Sequence, residues 1–198
     1  MKYGRILLAS NNPGKLDELT SLLAGVPIDF VTPQEINLSI TVEESGKTYA
    51  ENAALKASAF CQASELPSLA DDSGLEVEAL DGAPGLNSAR TTPTAAGRRA
   101  LLLQQLAGKP QPWRAIFRST IAIAYPDGDI QIAEGECRGE ISPIERGQGG
   151  FGYDPIFIVD GMDRTMAELT MEEKNRLSHR AKAIQKIKDV LIDIGSAR

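Results

Sequence analysis

Cysteine, histidine and aromatic residues are scarce in this 198-residue chain, with two Cys, one His, one Trp and 5% aromatics in all. Cys61 and Cys137 have no CxxC spacing, and with His179 as the single histidine no zinc set of the usual Cys/His kind can be assembled. Both cysteines are expected to be small buried apolar residues in a reducing compartment. A cationic excess is missing too. With 21 Lys and Arg against 27 Asp and Glu, the net charge is −6, which argues against a general polyanion-binding surface, because nonspecific nucleic-acid affinity rests on many clustered cations. The first apolar run, Ile6-Leu7-Leu8-Ala9, is too short for a secretory or membrane-spanning segment. The expectation is a cytoplasmic protein with no nucleic-acid and no membrane partner. Familiar phosphate and acyl-transfer machinery is also absent, since the chain has neither a G-x-x-x-x-G-K-[ST] loop nor a G-x-S-x-G elbow.

What is present is an α/β pattern. Ile6 to Ala9 has the continuous apolar character of a strand covered on both faces. It runs into Ser10-Asn11-Asn12-Pro13-Gly14-Lys15, where Asn12 suits an N-cap, Pro13 the first helical position, and Leu16, Leu19, Leu22 and Leu23 form one stripe. A strand feeding a capped helix leaves free backbone N–H groups and a positive dipole end at its tip. Lys15 works against that dipole, a local cost that a bound anion would offset. Ile28 to Val31 is a second expected strand, residues 35–47 alternate too weakly to assign, and a helix runs from Thr48 to about Glu65. Glu43-Glu44-Ser45-Gly46 precedes that helix in a loop.

Leu69-Ala70-Asp71-Asp72-Ser73-Gly74 concentrates two adjacent acids, and Ser73-Gly74 signals a stop, so the pair is expected at or just beyond a strand end. Adjacent residues on extended backbone point to opposite faces, so the two acids have different tasks. Leu75 to Leu80 alternates as a further strand, Pro84 to Arg90 is a loop, and Thr94 to Leu106 is helical. Trp113–Tyr125 and Ile130–Ile141 are β-rich runs joined at Pro126-Asp127-Gly128-Asp129, a hairpin signal. The sheet is therefore expected to be mixed, in a single domain over residues 1–198. Gly147 to Gly152 matches G-x-G-x-x-G, yet a strand (Ile156–Val159) follows where the dinucleotide fingerprint needs a helix, so the match is a pliable glycine loop. Thr170-Met171-Glu172-Glu173 is a capping box, and Ser178 caps the last helix, whose stripe is Ile184, Ile187, Val190 and Leu191. Lys174, His179 and Arg180 place three donors within seven residues.

Together the acids Glu43, Glu44, Asp71 and Asp72 and the donors Lys15, Lys56, Lys174, His179 and Arg180 fit a phosphate ester with a hard divalent cation. Hydrolysis then needs a base near the metal to deprotonate water. The motifs Ser10 to Lys15, Glu43 to Gly46, Glu51-Asn52-Ala53 with Lys56, Ala70 to Gly74, Gly82-Ala83-Pro84-Gly85 with Ser88-Ala89-Arg90, Gly149 to Pro155 and Ser178-His179-Arg180 occur in one order over nearly the whole chain. In this the sequence resembles the bacterial non-canonical purine nucleoside triphosphate pyrophosphatases, the inosine triphosphatase or Ham1-like family.

That resemblance implies a long mixed β-sheet flanked by helices, in two lobes with a central cleft. It further implies hydrolysis of XTP, dITP and ITP to the monophosphate and pyrophosphate, with Mg²⁺, by a homodimer. By the same resemblance Ser10, Asn11, Asn12, Pro13, Gly14, Lys15 and Lys56 would bind the triphosphate, with Ser73 nearby. Glu43, Asp71 and Asp72 would hold the metal, Glu43 being preferred over Glu44, and Asp72 would also be the water-activating base. Asp71 is either a second ligand or orients the lysines. Phe151, Gly152, Tyr153 and Asp154 would line the nucleoside pocket, Phe151 stacking on the purine, and Lys174, His179 and Arg180 would read the base. The rival readings are a Maf-type pyrophosphatase acting on pyrimidine or modified nucleotides, and a nucleotide-binding sensor without turnover.

Overall fold

The computed structural model describes residues 4–196. Its elements are β1 (Arg5–Leu8), α1 (Pro13–Leu22), β2 (Asp29–Val31), α2 (Tyr49–Ser64), β3 (Ser68–Val77), β4 (Pro84–Gly85), α3 (Ala95–Leu106), β5 (Arg114–Ala124), β6 (Ile130–Ile141), β7 (Phe157–Val159), α4 (Met171–Leu177) and α5 (His179–Ser196). The strands follow the order β2-β1-β3-β5-β6-β7, with β4 paired to β3. β1 runs parallel to β2 and β3, whereas β3–β4 and β6–β7 are antiparallel, so the sheet is mixed. No helix among the described residues is long and apolar enough to cross a membrane.

The chain divides into two compact units: Met1–Asp72, Ser119–Gly135 and Arg180–Arg198 form the first, and Ser73–Arg118 with Glu136–His179 the second. In the first unit the strands are covered on both faces, and the period of two decides which side chain goes where. Ile6, Leu8, Leu69, Ile121 and Ile123 pack with Leu19 and Leu23 from the α1 segment and Ala183, Ile184, Ile187 and Leu191 of α5. Leu7, Ala9, Ala70, Ala122 and Ala124 pack on the other side with Ala53, Ala57, Phe60 and Cys61 of α2. In the second unit a separate core gathers Leu75, Val77, Leu102, Leu106, Trp113, Ala115, Phe117 and Phe157. Each fully buried Leu or Phe contributes about 1.5–3 kcal/mol of transfer free energy.

Several expectations are corrected. Asp71 and Asp72 lie in the middle of a ten-residue strand, not at its end, because β3 continues through Ser73-Gly74 to Val77. The strand expected over Leu75–Leu80 stops at Val77 and closes in a 3-10 turn, Glu78–Leu80. Residues 35–47 do alternate: Ile36, Leu38, Ile40 and Val42 pack against the α2-side core, without joining the sheet. The loop expected from Pro84 contains the short strand β4, and a 3-10 turn, Asp154–Ile156, precedes β7.

Candidate active site

The end of β1 delivers the chain to α1 through an ordinary cap. Asn12 is extended and its Oδ1 accepts the Lys15 N–H at 3.2 Å, while its own N–H donates to Ser10 Oγ at 3.2 Å. Pro13 occupies the first turn, which holds no acid. Lys15 reaches from this turn to β3, donating to the Asp71 carbonyl at 3.2 Å, with Nζ 2.7 Å from Asp71 Oδ2.

Asp71 shares the face of Leu69, two residues before it, and therefore meets α1 and α5. Its Oδ2 accepts from Arg180 Nη2 at 3.0 Å, and its Oδ1 from Ser119 Oγ at 2.5 Å. Arg180 is 1% exposed and its other terminal nitrogen pairs with buried Glu18. Burial alone would raise the Asp71 pKa, but Arg180 and Lys15 overcome it and hold the carboxyl well below the usual range. The Lys15 pKa is lowered by burial, with Asp71 opposing the shift.

Asp72 takes the phase of Ala70 and faces α2. Lys56 Nζ donates to Asp72 Oδ1 at 2.8 Å, to Glu44 Oε1 at 2.8 Å and to the Asp71 carbonyl at 2.9 Å. Two carboxylates thus converge on one ammonium, and Lys15 and Lys56 share one backbone oxygen. Burial raises the Asp72 pKa even against Lys56. For Lys56, burial is outweighed by Asp72 and Glu44, and its pKa is raised.

The acid brought to Asp72 is Glu44, whereas Glu43, preferred from the sequence, is exposed. The reason is phase: Ile36, Leu38, Ile40 and Val42 turn inward, and Glu44 is the next residue in that series. Asn52, fully buried in α2, fixes the end of this segment by accepting the Gly46 N–H at 2.8 Å. A Cβ at Gly46 would lie 2.7 Å from that amide oxygen. Among the described residues no set of three or more Asp, Glu, His or Cys forms a ready-made cage. A pair of hard carboxylate oxygens nevertheless fits a small divalent cation that completes its shell with water and phosphate oxygens.

In the second unit, Gly149-Gly150-Phe151-Gly152-Tyr153-Asp154 is folded around one carboxylate. Asp154 Oδ2 accepts the Phe151 N–H at 2.8 Å and the Lys174 ammonium at 2.6 Å. Gly150 has φ +67°, and a Cβ there would stand 2.0 Å from Asp154 Oδ2, so no larger residue fits. Lys174 Nζ also lies 5.3 Å from the Phe151 ring centroid. The Tyr153 hydroxyl donates to the Ser88 carbonyl at 3.0 Å, and burial raises its pKa. His179 stacks on Phe117 with ring centroids 4.8 Å apart and planes at 13°. Ser73 is half-buried and begins this unit.

The donors grouped from the sequence are therefore divided. Lys174 serves Asp154 and Phe151, His179 rests on Phe117, and the Arg180 guanidinium is committed to Glu18 and Asp71. Sequence reasoning missed Glu18 and Ser119. Glu18 carries a visible signal, since it lies three residues after Lys15 and adjoins the apolar stripe at Leu19, where a charge must be paired when buried. Ser119 offers none, because a serine in a β-rich run is ordinary.

Comparison with known proteins covers most of the chain. A model of the Ham1 family matches residues 6–190. A dITP/XTP pyrophosphatase from Deinococcus deserti is 46% identical over 186 residues, covering 93% of this chain and 88% of the relative. Its counterpart from Desulforamulus reducens is 47% identical over 191 residues, covering 94% and 95%. Among solved structures, a HAM1 protein from Coxiella burnetii aligns with TM-score 0.84 at 40% identity, covering 94% of this chain and 98% of that one.

Proposed function

The chain belongs to the Ham1 family, and from that premise we propose that it is a nucleoside triphosphate pyrophosphohydrolase converting XTP, dITP and ITP to the monophosphate and pyrophosphate. The relatives named dITP/XTP pyrophosphatase support this reading along nearly their full length. The observation that carries it is the convergence of Asp72 and Glu44 on Lys56, with Lys15 sharing the same backbone oxygen.

In this reading Ser10, the Asn11 to Lys15 turn through its Asn11 and Gly14 N–H groups, and the Lys15 and Lys56 ammonium groups receive the triphosphate charge. Asp72, whose proton affinity burial raises, orients and deprotonates the attacking water. A divalent cation, Mg²⁺ here, would be held by Asp72 and Glu44 and would supply charge neutralisation at the phosphates and a more acidic water. Asp71 has both oxygens engaged by Ser119, Lys15 and Arg180, so its role is to orient those cations. Phe151, Gly152, Tyr153 and Asp154 contact the nucleoside, with Phe151 stacking on the purine, and Lys174 and His179 act as donors toward its 6-oxo group. An active homodimer in the cytoplasm completes the proposal, and sedimentation of the purified protein tests the dimer.

The decisive measurement is pyrophosphate release with Mg²⁺ over XTP, dITP, ITP, GTP, ATP, dTTP and UTP. kcat/KM for the first three is expected to exceed that for ATP, whose 6-amino group leaves those donors unmatched, by about 10⁴-fold, the scale at which a site built on hydrogen-bond donors rejects an unmatched group, and that for GTP, which keeps the 6-oxo group and differs in its 2-amino group, by a smaller factor. A preference for dTTP or UTP, or the absence of pyrophosphate from every substrate, overturns the proposal.

A further inference from the structure

Arg99 belongs to none of the recognised motifs, yet it is the side chain through which α3 reaches the glycine loop. Its Nη1 donates to the Gly152 carbonyl at 2.9 Å. Its Nη2 donates to Glu145 Oε2 at 2.9 Å, and its Nε lies 2.9 Å from Glu145 Oε1. Two guanidinium nitrogens are thus hydrogen-bonded, one to the carboxylate and one to the loop backbone, and the third lies at ion-pair distance from the same carboxylate.

The arrangement has the character of a positioning device more than of a stabilising pair. The Arg99 side chain is 14% exposed, whereas Glu145 is 44% exposed, and an ion pair with one partner in water adds little to stability. What Glu145 does is hold the plane of the guanidinium, so that Nη1 can only aim at Gly152. Gly152 has φ +61° and open space around its α-carbon, so nothing of its own side chain restrains it. The loop is gripped on the other side by Asp154 and Lys174, and beyond Gly152 by the Tyr153 hydroxyl on Ser88. Without Arg99 the Gly152 peptide between these two anchors loses its direct tether to α3.

We infer that Arg99, oriented by Glu145, is a specificity-determining positioning residue: it fixes the Gly152 peptide, and through it the pose of Phe151, on which discrimination among purine bases depends. The inference rests on the reading of Gly150–Asp154 as the nucleoside-contacting loop. A lysine cannot replace the arginine, because one ammonium cannot serve the carbonyl and both carboxylate oxygens in a fixed plane. Glutamine at 145 keeps one acceptor and should keep part of the effect.

The test uses full-length wild type, Arg99→Ala, Arg99→Lys and Glu145→Gln. With dITP, the two Arg99 variants are expected to raise KM about tenfold while kcat stays within about twofold, the loss of one well-placed hydrogen bond. Inhibition by dIMP should weaken in parallel, inhibition by pyrophosphate should not change, and the kcat/KM ratio of dITP to dATP should narrow. Glu145→Gln should fall between these variants and wild type. Amide hydrogen exchange on the nucleotide-free proteins reads the loop directly: Phe151 and Asp154 lose protection in Arg99→Ala while the amides of α3 keep theirs. An unchanged dITP to dATP ratio, an equal loss for all substrates, or loss of protection throughout α3 overturns the inference. If wild type releases no pyrophosphate from dITP, the proposed activity fails on its own, and the exchange experiment still decides whether Arg99 holds the loop.

Discussion

Asp71 and Asp72 are neighbours in sequence with opposite proton affinities, the first lowered by Arg180 and Lys15 against burial, the second raised by burial against Lys56. The alternation of a strand is what separates them, and it divides their consequences on substitution. Asp72→Asn is expected to lower turnover by about 10³-fold or more while nucleotide binding persists, measured by pyrophosphate release and by calorimetric titration. Near-normal rates would remove Asp72 from the chemistry. Asp71→Asn instead leaves Lys15 short of its buried counter-charge and Arg180 with Glu18 alone, which should cost about 3–5 kcal/mol in urea unfolding. A loss under about 1 kcal/mol would mean that the cluster is better solvated than its burial indicates. At this scale the charged residues that meet around Asp71 and Asp72 stood out in the sequence, apart from Glu18, and which of them pair was less legible. Ser119, Arg180 and Lys15 lie 48, 109 and 56 residues from Asp71, and no local pattern records contacts of that span.

Helices were legible because their ends carry side-chain acceptors. Asn12, Thr48, Thr94 and Thr170 each accept a backbone N–H from the first turn. β3 was misread for the converse reason, since Asp-Asp-Ser-Gly satisfies every local rule for a turn, and the strands that pair with it and the cations that meet its acids are distant in sequence. The segment before α2 hid its alternation because no strand pairs with it, and for want of that phase Glu43 was preferred over Glu44. α4 supplies the prediction proper to this scale. Its capping residue Glu173 is held down to about 2 from 4.5, first by Arg164 and then by the Thr170 N–H. A pKa depressed in the folded state means stability that is complete above pH 4.5 and lost as pH falls toward about 2. The melting-temperature gap between wild type and Glu173→Gln should therefore be widest above pH 4.5 and close toward pH 2. A gap independent of pH over that range would show that the charge of Glu173 contributes nothing to the cap.

For the whole molecule, the mixed sheet with helices around it was legible from the order of apolar runs, whereas two lobes were expected only from the family resemblance and their boundaries were not legible, because neither unit is continuous in sequence. Lys56 is already paired with both Asp72 and Glu44 in the folded chain, which sets the expected response to metal removal. Excess EDTA should abolish pyrophosphate release and shift the unfolding free energy by less than about 1 kcal/mol, since no cage of unpaired carboxylates is left behind. Unfolding on chelation would contradict that pairing. The threading of the first unit has another consequence, for a chain emerging from a ribosome. Residues of the second unit are all synthesised by His179, but the first unit, which holds β1 and α1, waits for Arg180 and the rest of α5. The part made first is thus completed last, against the usual vectorial order. Until Arg180 emerges, Asp71 has no guanidinium, and a product truncated before it carries an under-neutralised acid in the middle of β3.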